Sequence, residues 1–120
     1  MARRRSAETL LERERYELSA RSGGGILSYE VWGVVARGKT VVTRYNLAYI
    51  NPLVFGGDNG RVLGYDNAHG EHHRHYMGKA EPVEIGSYEE AFNRFQAEWQ
   101  ELARTLLCPK GAKAKRGKRS

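Results

Sequence analysis

The sequence predicts an α+β fold: an antiparallel sheet of about five strands in a meander, with one C-terminal helix packed on a face. Three observations carry this prediction. Residues 26–50 are rich in Val, Tyr and Trp and are divided by Gly38-Lys39, the pattern of a β-hairpin. Arg61 to Asn67 and His72 to Lys79 repeat that pattern around a short loop. From Tyr88 onward the period changes, because Tyr88, Phe92, Phe95, Trp99, Leu102 and Leu106 recur at spacings of four and three, which draws one apolar stripe down a helix.

Taken in chain order, residues 1–7 begin Met1-Ala2-Arg3-Arg4-Arg5 and are expected to be a flexible basic N-terminus. Residues 8–18 have helical propensity and Ser6 can cap them, yet their apolar positions form no stripe. A strand is the preferred reading, since Ser19 to Gly25, with three consecutive glycines, is a turn that would fold the segment back on Ile26 to Arg37. Gly38-Lys39 is the next turn and Thr40 to Ile50 the returning strand. Asn51-Pro52 opens a loop that closes with Gly56-Gly57-Asp58-Asn59-Gly60. That glycine run lacks the lysine and helix start of a phosphate-binding loop, so it reads as a turn. The helix spans about Tyr88 to Leu107: Ser87 and Glu90 make a capping box at its start, and Pro109 and Gly111 end it. Four aromatic residues on its stripe call for a broad apolar surface opposite, most naturally a sheet face.

The chain has 120 residues and no internal repeat, so residues 8–108 are expected to make one domain with one modest core. No apolar run approaches the roughly 18 residues of a membrane span, and no apolar signal segment follows the first arginines, which predicts a cytoplasmic protein without a membrane partner. The single cysteine, Cys108, excludes an intramolecular disulfide and any multi-cysteine zinc site, and is expected to fill space at the helix end. The formal charge of +6 is concentrated at the ends. Nine of the 20 basic residues lie in Arg3–Arg5 and in Lys110, Lys113, Lys115, Arg116, Lys118 and Arg119, leaving 11 basic against 14 acidic residues, a net −3, between them. Residues 109–120 are thus expected to be a flexible basic tail, able to grip phosphates nonspecifically or simply to keep the protein in solution.

All four histidines fall within seven residues, in the run Tyr65-Asp66-Asn67-Ala68-His69-Gly70-Glu71-His72-His73-Arg74-His75. Histidine titrates nearest neutrality, so such a cluster can move protons, bind a metal or sense pH. With Ala68 to Glu71 as a four-residue loop, Asn67 lies opposite His72, Asp66 opposite His73, Tyr65 opposite Arg74 and Gly64 opposite His75, and opposed residues share a sheet face. Asp66, His73 and His75 then surround Gly64, whose missing side chain leaves room for a ligand or a ring. Tyr65, Asn67, His72 and Arg74 occupy the other face. A loop one residue longer or shorter would redistribute them.

Three readings follow. In the first, a histidine is general base or acid, Asp66 orients it, Arg74 neutralises phosphate charge and Tyr65 supplies a further proton or stacks on a base, which are the parts of RNA cleavage through the 2′-hydroxyl without a metal or other cofactor. In the second, His73 and His75 bind a metal with Asp66 or His69. In the third, Asp66 and Arg74 form a structural pair on a solvated hairpin. All three stay open at this point, with acid–base work ahead of metal binding: Asp66, His73, Arg74, His75 and Tyr65 are the candidate catalytic residues, with Asn67, His69 and the six tail cations as candidate RNA contacts. Trp32, Tyr29, Tyr45 and Tyr49 are expected to pack on the sheet, and Arg44 and Asn46, opposite Tyr45 and Leu47 in facing, can line a site if their strand neighbours the histidine hairpin.

The order of a Gly-Arg-Val-Leu strand, Tyr65-Asp66-Asn67, a short glycine-containing loop, His73-Arg74-His75, a Gly-Lys-Ala-Glu-Pro turn and a helix opening Ser87-Tyr88-Glu89-Glu90 resembles the TumE family of small prokaryotic toxin–antitoxin proteins over about residues 8–107. His69, His72, the long loop at 51–60 and the basic tail depart from the family's pattern. The resemblance implies that the segment before Gly23 is a strand, and that the protein is a toxin silenced by a cognate antitoxin. An endoribonuclease activity fits both the cluster and the cationic ends. The competing expectation is a noncatalytic regulatory or interaction module that uses the His-Arg-His hairpin as a contact surface for protein or nucleic acid.

Overall fold

The computed structural model describes residues 8–107, so the basic N-terminus expected over residues 1–7, Cys108 and the tail at 109–120 lie outside the described residues. Six strands form one open antiparallel meander in sequence order: β1 (Thr9–Glu17), β2 (Ile26–Ala36), β3 (Lys39–Ile50), β4 (Arg61–Asp66), β5 (His73–Tyr76) and β6 (Lys79–Pro82). Helix α1 (Tyr88–Leu102) follows and widens into a π turn over Ala103–Leu107. Its contacts with the sheet run to β3 and β4, the central strands.

The sixth strand corrects the expected count of about five. Met77 and Gly78 both take positive φ, at 50° and 85°, and close a two-residue turn that sends Lys79–Pro82 back along β5, where a Gly-Lys-Ala-Glu-Pro turn was expected. Lys, Glu and Pro are poor strand formers, but a proline is tolerated at the edge of a sheet, where its missing N–H leaves no ladder partner unsatisfied. The first hairpin moves by one residue for the same reason. Arg37 and Gly38, at φ 56° and 76°, occupy the two turn positions, and Lys39 pairs with Ala36 as the first residue of the return strand.

Residues 9–17 form a strand, as preferred over the helix. Pairing with β2 from Thr9 to Glu17 supplies a hydrogen-bond ladder that helical propensity cannot match without an apolar stripe to bury. The alternating charges of β1 also blunt an otherwise open edge against association with other strands.

One face of the sheet carries the core. Leu27, Tyr29, Val31, Tyr45, Leu47, Tyr49, Leu63 and Tyr65 are buried against Ala91 and Phe95 of α1, with Val62 beside them. Tyr88, Phe92, Trp99 and Leu102 complete the helix's apolar stripe at the border of this cluster. Phe95 is fully buried and meets Tyr29 and Tyr65 edge-on, with ring centroids 6.0 and 6.4 Å apart. The cap predicted from Ser87 is present: its Oγ accepts from the Glu90 N–H at 3.1 Å. The Glu90 carboxylate accepts from the Gly86 N–H at 2.9 Å, one residue earlier than the capping box requires. Among the described residues no helix is long and apolar enough to cross a membrane.

Candidate functional site

The register of β4 and β5 is the one the loop predicted, with Asp66 opposite His73, Tyr65 opposite Arg74 and Gly64 opposite His75. Because the sheet is a continuous meander, these pairs extend into rows across it. On the face away from the helix, one row reads Arg13, Glu30, Asn46, Asp66, His73 and Pro82, and the next reads Arg15, Ser28, Ala48, Gly64, His75 and Ala80. The open face therefore gathers Asp66, His73 and His75, and brings Arg44 and Asn46 beside them.

Asp66 is the hub. Its Oδ2 lies 2.7 Å from His75 Nε2, its Oδ1 accepts from the Ala68 N–H at 3.2 Å, and the same Oδ1 is 3.9 Å from His73 Nδ1. His73 Nε2 is 3.7 Å from a Glu71 carboxylate oxygen. Both His73 contacts are longer than a hydrogen bond, and at 24% exposure against 19% for His75 and 14% for Asp66 its side chain is the most open of the three. The two rings stand 6.5 Å apart.

A fourth participant was absent from the sequence reading. Arg61 Nη2 lies 3.1 Å from His75 Nδ1, and Arg61 Nε donates to Asp58 Oδ2 at 2.9 Å. The space left by Gly64 is thus filled, neither by a ligand nor by a ring but by the Arg61 side chain: a Cβ on Gly64 would stand 2.8 Å from Arg61 Cδ. Strict alternation along β4 would turn Arg61 to the core with Leu63 and Tyr65. The register slips at Val62, so that Tyr49 pairs with Leu63 but Ile50 pairs with Arg61, and this bulge delivers Arg61 to the open face. The only signal in the sequence was Asp58 three residues before Arg61.

With both ring nitrogens of His75 engaged, the set of Asp66, His73 and His75 has no metal-ligand geometry, and among the described residues no three His, Cys, Asp or Glu side chains converge as metal ligands. A groove of about 290 Å³ runs beside the cluster over Ser28, Glu30, Asn46, Ala48, Ile50, Asp58, Asn59 and Arg61. A smaller one of about 150 Å³ adjoins it along Glu30, Trp32, Arg44, Tyr45, Asn46, Asp66 and Ala68. Trp32 belongs to this open face, where the Arg44 guanidinium sits 4.6 Å over its ring.

Arg74 and Tyr65 are on the other face and work together there. Arg74 grips Glu98 of α1 through Nε at 3.1 Å to each oxygen and Nη2 at 2.7 Å, and reaches Glu81 at 3.4 Å. Tyr65 Oη donates to the same Glu98 at 2.5 Å. The structural pair expected between Asp66 and Arg74 is not formed: opposite sheet faces separate them, and each has another partner. Burial raises the Glu98 carboxyl, but the hydrogen bonds from Arg74 and Tyr65 and the charges of Arg74 and Arg94 outweigh it and hold the group below its usual range. Burial, and then the bond to Glu98, push the Tyr65 phenol up to about 12. The Arg74 guanidinium is held still more firmly protonated by its bonds to Glu98, against the pull of burial. A buried, hydrogen-bonded phenol and a clamped guanidinium tie helix to sheet.

His72 lies on the helix side as well. Its Nδ1 is 2.6 Å from Tyr45 Oη, and the two rings stack at 5.7 Å. Burial, and then the neighbouring Asp66 charge, raise the Tyr45 phenol and keep it protonated. Asn67 holds the strand ends: Oδ1 accepts from the Tyr45 N–H at 3.0 Å and Nδ2 donates to the Thr43 carbonyl at 3.0 Å. Its amide is therefore occupied. His69 falls in the short 3-10 turn Ala68–Gly70, and its side chain lies outside the described residues, as do the six tail cations.

A family model described as TumE, Toxin TumE, matches residues 5–103. No curated protein and no solved structure gives a significant match.

Proposed function

The chain belongs to the TumE toxin family, and from this premise we propose that it is a toxin that cleaves RNA without a metal, at the Asp66, His73 and His75 cluster on the open sheet face. The observation that carries the proposal is one carboxylate set between two partly buried imidazoles on the sheet face away from the helix, with His73 the ring of the two whose nitrogens lack close partners. Such a ring can take the proton of a ribose 2′-hydroxyl while the Asp66 carboxylate, 3.9 Å away, stabilises the charge it gains. The freed oxygen attacks the adjacent phosphorus, the bond to the 5′-oxygen breaks, and that oxygen departs with a proton returned by the imidazolium or by water. The products are a 2′,3′-cyclic phosphate and a 5′-hydroxyl end. The groove beside the cluster offers Asn46 and Arg44 to the phosphodiester and the Trp32 ring to a base.

Arg74 and Tyr65 support the site from behind, by fixing β4 and β5 against α1, rather than by touching phosphate. The tail cations supply nonspecific phosphate contacts. A cognate antitoxin would silence the protein by binding it, and a toxin acting on RNA in the cytoplasm needs such a partner encoded beside it.

Inducing the protein without its neighbouring gene should arrest growth and degrade cellular RNA, leaving 2′,3′-cyclic phosphate ends. His73→Gln, at a partly buried position whose ring makes no hydrogen bond, should keep the urea unfolding midpoint and lose both effects. If His73→Gln still degrades RNA, the site is misassigned. If the wild-type protein arrests growth with RNA intact, the noncatalytic contact role of the hairpin is the better account.

A further inference from the structure

We infer that Arg61, turned to the open face by the bulge at Val62 and braced by Asp58, is a positioning residue that fixes His75 as an Nε2–H donor to Asp66 and so leaves proton transfer to His73. The inference deepens the RNA-cleavage reading and rests on it for its activity arm. Its argument is one of donors and acceptors. A guanidinium has five N–H donors and no acceptor. Its Nη2, 3.1 Å from His75 Nδ1, can be hydrogen-bonded to that nitrogen only if Nδ1 carries a lone pair. The ring proton then sits on Nε2, where Asp66 Oδ2 accepts it at 2.7 Å. Both nitrogens of His75 are thereby committed. His75 cannot take a proton from substrate without expelling Arg61 from Nδ1, which holds the ring's one lone pair.

The rest of the device serves the same end. Asp58 receives Arg61 Nε at 2.9 Å, which orients the guanidinium plane. Gly64 leaves the lane along which the Arg61 stem crosses the sheet, and an added Cβ there would meet Cδ at 2.8 Å and Nη1 at 3.3 Å. Asp66, already bonded by His75 and by the Ala68 N–H, is held with Oδ1 toward His73. Asp58, Arg61, His75 and Asp66 are thus an ordered chain of hydrogen bonds that ends 3.9 Å from His73, the one of the three described histidine rings whose nitrogens have no such bond.

Long-range proton–nitrogen correlation of the histidine rings reads this directly. Wild-type His75 should show one neutral tautomer with the proton on Nε2. Arg61→Met should shift the His75 Nδ1 resonance, and Gly64→Ala should shift it the same way by displacing the arginine without removing it. RNA degradation should fall by roughly 10–100-fold in Arg61→Met, the usual worth of a hydrogen-bonding partner one step behind the residues that do the chemistry. His75→Gln keeps an N–H in the place of Nε2 and should retain roughly tenfold more activity than His75→Leu, the value of one hydrogen bond to a charged group. A proton on Nδ1, or an Arg61→Met protein with unchanged resonance and unchanged activity, overturns the assignment. Wild-type protein that degrades no RNA but shows the Nε2–H form refutes the cleavage reading and leaves Arg61's hold on His75 supported.

Discussion

At the scale of single residues, the histidine run divides by sheet face into groups with different work. Asp66, His73 and His75 face the open side, while Tyr65 and Arg74 bind Glu98 beneath. Period-two alternation made that division legible, because opposed residues in an antiparallel pair share a face whatever their chemistry. Glu98 was not legible: it lies on the flank of the helical stripe, and nothing local distinguishes it from Glu89 or Glu101. Its depressed carboxyl has a measurable consequence. A group held below its unfolded value, 4.5 here, contributes stability that is present above that value and lost as pH falls through the folded one. Glu98→Gln should therefore lower the urea midpoint at pH 7, by on the order of 1 kcal/mol after screening of a side chain one-third exposed, and the gap to wild type should close as pH falls below the folded-state value. An equal gap at both pH values would mean that Arg74 is held by Glu81 instead.

At the scale of elements, the helix was the clearest feature and the turns the least. Six apolar positions at helical spacing and a capping serine predicted a helix starting at Tyr88, and Ser87 caps it through Glu90. Two-residue hairpin turns depend on which pair of residues takes positive φ, and Arg37 and Met77 do so without being glycine. Composition alone cannot place such turns to the residue, and the sixth strand was hidden behind the second of them. The bulge at Val62 matters most for the site. It resets the alternation of β4 so that an arginine belonging by count to the core side joins the histidines. For the helix, Ser87→Ala should cost about 1 kcal/mol, as for other caps. Phe95→Ala, by emptying a fully buried ring site under Tyr29 and Tyr65, should cost about 3–5 kcal/mol. Chemical denaturation of the two variants gives the comparison, and equal losses would contradict the placement of the core.

At the scale of the whole molecule, charge and fold are separated. The basic residues that set the sign of the net charge lie at 3–5 and 110–119, while the stretch between them is acidic on balance. The domain itself is then no cationic platform, and removing residues 110–120 should weaken nucleic-acid association without changing the unfolding midpoint. Filter binding of a random RNA at matched low salt tests this, and equal binding by the truncated protein removes the tail from the account. Sequence by itself determined the class of fold, the helix, the facing of the histidine hairpin and the resemblance to a toxin family, since each rests on local periodicity or on residues adjacent in the chain. Only the tertiary structure decided that Arg61 reaches His75, that Arg74 and Tyr65 serve Glu98, and that His73 is the ring left open. Those outcomes depend on a one-residue slip in strand pairing and on which helix carboxylate stands over which strand, and neither distance is encoded in any short stretch of sequence.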